Sequence, residues 1–306
     1  MIQLPKCNAP FVHRTPSQRW LFANHQMGDR LGTFVEKSIE DGVISWRINR
    51  PERVNAIGMT LAKALVDLLS PLHADLKAWH ASSAECPPVR ALVISATPTR
   101  RGRNPVWIGG GDLKELALLG DREQGRAYAG ALSGFCSMLE ELPIPVVTAV
   151  NGAAIGGGAE VALAADIRVA TRISTFEFRQ LRVGLATGYG GATRLVNLVG
   201  KSMAQRLLYF AESHDAAKLE TFGLVHKVAN DDADLVVTVK NILRNLLVCE
   251  PRAFAAQKEM FRIATNQPTT AAYAAELEQF VQIWMNPSQK RFLERFQDTD
   301  DPSLSK

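Results

Sequence analysis

From Asn151 to Glu160 the chain reads NGAAIGGGAE, directly after the apolar run PIPVVTAV and directly before the apolar stretch VALAA. A short buried run, three consecutive glycines and a second buried run specify a strand, a tight turn and a helix. The glycines permit positive φ and close backbone approach, and a helix starting near Gly157 exposes unbonded amides at its electropositive end. An oxygen gaining negative charge is stabilised at such a place. Glu160 follows Gly157 by three residues, on the same side of the first turn, so a carboxylate stands beside that position as a general acid or base. A plain glycine-rich turn, with an acid complementing the helix dipole, accounts for the same residues.

A second loop separates the two readings. NPVWIGGGDLKEL also carries apolar residues into glycines and then into a helix, here beginning at Asp112. Two glycine-lined amides from two loops form a two-donor oxyanion hole, which one loop alone does not. Around them, FVEKSIEDGVISWRINRP alternates across a DG turn and predicts a β-hairpin. TLAKALVDLLSPLHADLKAW has helical periodicity with Thr60 as N-cap, VRALVISA is a buried strand, and Thr97 to Gly111 is an Arg-, Gly- and Pro-rich loop. A helix is expected over Arg122 to Glu141, then PVVTAV, DIRVA and STFEF as strands. From Lys201 onward the chain reads as helical apart from GLVHKVA. This alternation predicts an α/β core with a helical C-terminal module, preceded by a Pro- and polar-rich extension over residues 1–33.

Other chemistries find little support. The net charge of +4 is small and its basic residues are scattered, so no nucleic acid is expected. The cysteines, Cys7, Cys86, Cys136 and Cys249, form no CxxC pair and are read as reduced thiols of a cytoplasmic protein. The histidines form no HExxH pattern, so no metal is expected. No run of about 18 apolar residues exists, so no membrane span is expected. VGKS at Val199–Ser202 fails as a phosphate-binding loop, because Leu195 stands where that pattern requires glycine.

Taken together, these motifs resemble those of the crotonase superfamily, the enoyl-CoA hydratase/isomerase family. IGGGDLKE is similar to its oxyanion-loop signature, NGAAIGGGAE to its central signature, RPERVNAI to its early element and GYGGATRL to its Gly-rich turn. All four occur in the family's order. The resemblance implies a ClpP/crotonase-like α/β spiral of ββα units over residues 34–260. Residues 261–306 then form a helical trimerisation or lid module, and the assembly is a homotrimer or a dimer of trimers. It also implies an acyl-CoA substrate with no separate cofactor. The oxyanion amides fall on Gly111 and Gly157, and the first catalytic glutamate falls on Glu160. Arg53, Val54, Ala56, Arg101, Asp112, Leu113 and Lys114 fall in the region that binds coenzyme A, where Arg100 and Arg103 also suit phosphates.

One position departs from the pattern. The second glutamate of the hydratases falls on Gln180, and glutamine exchanges no proton at neutral pH. Glu115 and Glu177 match no catalytic position and are read as structural. The expected reaction is hydratase/isomerase chemistry on an enolate with one acid/base glutamate. Two alternatives stand beside it. One is decarboxylation of a 2-alkylmalonyl-CoA, which needs only one proton donor and which RQLRVGLATGYGGATRL resembles. The other is a non-catalytic paralogue that binds CoA or RNA.

Overall fold

The computed structural model describes residues 34–266 together with 277, 278 and 281. Strands β1 (Val35–Glu40) and β2 (Val43–Ile48) form the expected antiparallel hairpin. Asp41 and Gly42 both take positive φ, 49° and 77°, as a two-residue Asp-Gly turn demands. Alternation along β2 buries Ile44, Trp46 and Ile48. Helix α1 (Met59–His80) packs the stripe Leu61, Leu65, Leu69, Leu72 and Leu76 into the core, the period of an amphipathic helix. Its N-cap is Gly58, and the expected cap Thr60 is an exposed residue within the first turn. The helix starts early because Ile57, just before it, is tied through its own N–H and C=O to Gly110 and Asp112.

Next come β3 (Ala91–Ala96), β4 (Thr99–Arg101) and β5 (Asn104–Ile108). The last two form a hairpin inside the stretch expected to be loop. Arg100 and Arg101 carry no apolar alternation, so only the backbone ladder reveals β4. The chain continues through α2 (Leu113–Leu116), α3 (Arg122–Glu141), β6 (Val146–Val150), β7 (Ala153–Ile155), α4 (Gly157–Leu163), β8 (Ile167–Thr171) and β9 (Thr175–Glu177). Then follow α5 (Gly191–Phe210), broken at Gly200 with φ 74°, β10 (Ser213–Asp215), α6 (Ala216–Thr221), β11 (Lys227–Ala229), α7 (Asp232–Leu247) and α8 (Pro251–Asn266). Strand β10 corrects the all-helical expectation for this stretch. It is three residues long and exists by pairing with β9. Helix α8 runs across residues 260 and 261.

The strands make a six-stranded sheet in the order β1-β2-β3-β6-β8-β11 and a five-stranded sheet in the order β10-β9-β7-β5-β4. One face of the larger sheet joins α1 and α3 in the main core. On its other face Val93, Val147 and Val169 pack against Leu235, Val239 and Leu243 of α7. In the smaller sheet β5 and β7 run parallel, so both glycine loops leave the same end of adjacent strands. Gly158, in the first turn of α4, lets that helix start hard against β5, since a methyl group there would stand 2.4 Å from the Ile108 carbonyl oxygen. Gly158→Ala should therefore destabilise the fold by about 1–3 kcal/mol, the usual cost of overpacking. Urea midpoints measure this, and an unchanged midpoint would show that α4 can shift off β5 without cost.

Cys136 is buried and free, its thiol pushed up to about 12 by burial, and Cys249 is free and exposed. Cys86 is disulfide-bonded, which corrects the expectation of four reduced thiols. Distance in sequence is no bar to pairing, because a disulfide needs only proximity in space. Among the described residues no helix is long and apolar enough to cross a membrane, and no group of His, Cys, Asp and Glu side chains is arranged to hold a metal ion.

Candidate active site

Gly156 turns the chain from β7 into α4 with φ 53°, a left-handed conformation that favours glycine. Its amide donates to the Glu177 carbonyl at 2.7 Å, while Gly157 opens the helix with an amide that has no acceptor among the described residues. In the other loop, Ile57 donates to the Gly110 carbonyl at 2.7 Å and accepts from the Asp112 amide at 3.1 Å. The Gly111 amide between them likewise has no acceptor among the described residues. The loops meet at Gly110, where a methyl group would stand 2.8 Å from the Ile155 carbonyl oxygen and 3.8 Å from the Gly157 nitrogen. Two unspent backbone donors thus belong to adjoining loops.

Glu160, in the first turn of α4, is only 1% exposed. Its Oε2 accepts from the Tyr189 amide at 2.8 Å and the Gly191 amide at 3.0 Å. Its Oε1 accepts from Gln180 Nε2 at 2.8 Å and, more weakly, from the Gly188 amide at 3.4 Å. The sequence-expected pair, Glu160 and Gln180, is therefore in direct contact. A carboxylate only accepts, so Gln180 must turn its NH₂ toward Glu160. That leaves Gln180 Oε1 buried and without a partner. The turn that supplies the backbone donors is held by Arg194, which donates to the Tyr189 carbonyl and binds both carboxylate oxygens of Glu140 at 2.7 and 2.6 Å.

The residues assigned to coenzyme A separate into two groups. Asp112 caps α2 and lies 3.0 Å from Arg50 Nη1 and 3.6 Å from Arg53 Nε. The Val54 carbonyl accepts from Gly109 at 3.0 Å, and the Ala56 carbonyl accepts from Arg50 at 2.9 Å. These four thus belong to a network that ties the RPERVNA segment to the first glycine loop. Leu113 and Lys114 are exposed at the start of α2, and Arg101 is exposed on β4. Arg100, Arg101 and Arg103 form no ion pair among the described residues, so their charges are open to solvent. Glu115 pairs with Arg50 at 2.7 Å and Glu177 with Arg179 at 2.6 Å.

Sequence reasoning missed Arg50, Tyr128 and Tyr189. The first and last stand inside motifs that were singled out, RPERVNA and GYGGATRL, but only the fold shows what their side chains reach. Tyr128 lies on α3 among residues that read as ordinary helix core.

Residues 38–305 match the model of the enoyl-CoA hydratase/isomerase family. The chain belongs to that family. A short-chain-enoyl-CoA hydratase of Clostridium acetobutylicum is 28% identical over 262 residues, covering 86% of this chain and 93% of its own. A crotonyl-CoA hydratase of Syntrophomonas wolfei is 27% identical over 249 residues, covering 81% and 89%. Among solved structures, an enoyl-CoA hydratase of Polaromonas sp. JS666 superposes with a TM-score of 0.75 at 25% identity, covering 87% of this chain and 97% of that one. The architecture is thus the crotonase fold, and the chain is an acyl-CoA enzyme of the hydratase/isomerase family.

Proposed function

We propose that this family member moves a proton at the α-carbon of an enoyl-CoA thioester, with Glu160 as the single proton carrier and the Gly111 and Gly157 amides holding the enolate oxygen. The carrying observation is the 2.8 Å hydrogen bond from Gln180 to Glu160. Where hydration uses two carboxylates, one to activate water and one to deliver a proton, this site offers one. A shift of the double bond from the 3- to the 2-position needs only one. Glu160 takes the proton from Cα, and the C–H electron pair becomes the enolate. Collapse of the enolate draws the same proton onto C4. Oε1 suits this exchange, because its second donor is the distant Gly188 amide whereas Oε2 is engaged by two short bonds. On this reading exposed Arg101 is a candidate for the phosphates of coenzyme A, whereas Arg53 lies 3.6 Å from Asp112 and has a carboxylate beside it already.

Decarboxylation of a 2-alkylmalonyl-CoA is the second reading, favoured by the same neutral Gln180, since loss of CO₂ yields the same enolate and needs one proton. Purified protein should be assayed with 3-hexenoyl-CoA, crotonyl-CoA and ethylmalonyl-CoA. Conversion of the first to the conjugated thioester, faster than hydration of the second, is expected. Consumption of ethylmalonyl-CoA alone would move the assignment to decarboxylation. No turnover of any of them, with CoA or RNA bound, would leave a non-catalytic paralogue.

The trimer is likewise our reading. Leu181, Val183 and Leu185 are 50–57% exposed, and Arg182 between them donates to the carbonyls of Phe210 and Ala211, joining them to exposed Phe210 and Tyr209. A contiguous apolar patch of this kind marks an interface. Phe210→Asp should lower the mass measured by light scattering from that of a trimer toward that of one chain. A wild-type protein that already runs as a single chain would overturn the trimer.

A further inference from the structure

Two buried tyrosines connect the glycine loops. Tyr189 Oη donates to Tyr128 Oη at 2.8 Å, and Tyr128 Oη donates to the Ile57 carbonyl at 2.7 Å. Their rings meet edge to face, with centroids 6.1 Å apart. The Ile57 carbonyl also receives the Asp112 amide, so this end of the chain of hydroxyls grips the residues flanking Gly111. The other end lies against the second loop. A methyl group on Gly157 would stand 2.5 Å from Tyr189 Cε2, and one on Gly111 would stand 3.3 Å from Tyr128 Oη. The Tyr189 amide meanwhile holds Glu160 Oε2.

We propose that Tyr128 and Tyr189 are positioning residues, a brace of two phenols that fixes the gap between the Gly111 and Gly157 amides and sets Glu160 against it. The inference rests on reading those amides as the oxyanion donors. Neither phenol serves as an acid. Each hydroxyl proton is already committed to a neighbour, and burial raises both phenols, Tyr128 to about 12. Their effect on rate runs through backbone placement, where misplacement of about 1 Å costs on the order of 10²-fold.

The two ends of the brace are unequal, and the inequality makes a test. Tyr189→Phe deletes one hydrogen bond. Tyr128→Phe deletes two and leaves the Tyr189 hydroxyl buried without its acceptor. Each change removes one oxygen and keeps the ring, and circular dichroism confirms folding. With 3-hexenoyl-CoA, kcat should fall about 10-fold in Tyr189→Phe and about 10²-fold in Tyr128→Phe, with KM within about 2-fold. The double variant should match Tyr128→Phe rather than multiply the two losses. Acetoacetyl-CoA supplies a second readout, because a formed oxyanion hole binds it as its enolate, seen as a near-ultraviolet band. That band should weaken in the same order. Wild-type turnover matched by both variants, with equal enolate bands, would overturn the brace alone. A wild type with neither turnover nor an enolate band would overturn the oxyanion assignment and the brace with it.

Discussion

Glu160→Gln should lower kcat by about 10²–10⁴ while leaving the affinity for an acyl-CoA nearly intact, because it removes the proposed proton carrier and little else. The surroundings accommodate the amide. Its oxygen can occupy the place of Oε2 and accept from the Tyr189 and Gly191 amides, which lie 2.8 and 3.0 Å from that atom. Its NH₂ then faces Gln180, which needs only to turn over and present its unpartnered Oε1. The variant should melt within about 2–4 °C of wild type, the equivalent of ~1 kcal/mol for a chain of this class. Single-turnover kinetics and calorimetric binding check both halves. Normal turnover would reduce Glu160 to a residue that complements the helix dipole.

Gln180→Glu should change which reaction the site performs. The new carboxylate would stand within hydrogen-bond distance of Glu160, where Gln180 Nε2 now lies 2.8 Å from Oε1. Two like charges about 4 Å apart repel by roughly 4 kcal/mol at an effective dielectric near 20, so the pair keeps one proton between them. One acid beside one base is what hydration requires. Crotonyl-CoA hydration should rise by on the order of 10² over wild type. Any decarboxylation of ethylmalonyl-CoA should fall, since the substrate's own carboxylate would meet a fixed negative charge. Hydration that stays at the wild-type level across the pH range would show that position 180 does not withhold it.

The residues of the candidate site could be named from the sequence where a motif carries them. The two glycine runs, Glu160 and the glutamine twenty residues beyond it stand in such motifs, and the structure brings Glu160 and Gln180 into contact. The first hairpin and the helix Arg122–Glu141 were legible by alternation and by helical period. What stayed hidden depends on backbone pairing or on distance in sequence. Strand β4 has two arginines and no apolar stripe, and β10 exists only because β9 lies beside it. Thr60 has the chemistry of a cap, yet Ile57's ties to the other glycine loop fixed where α1 begins. Tyr128 and Tyr189 are 61 residues apart, and nothing in either neighbourhood signals that their hydroxyls meet.

The two amides that have no acceptor among the described residues, at Gly111 and Gly157, belong to the peptide backbone rather than to any side chain. Nineteen of the twenty genetically encoded residues supply the same N–H, so only a change to proline erases either donor outright. A side chain at either place still disturbs packing, because a methyl group would stand 2.5 Å from Tyr189 Cε2 at Gly157 and 2.7 Å from Leu116 Cδ1 at Gly111. The proposed donors thus tolerate a change of residue chemically but not sterically.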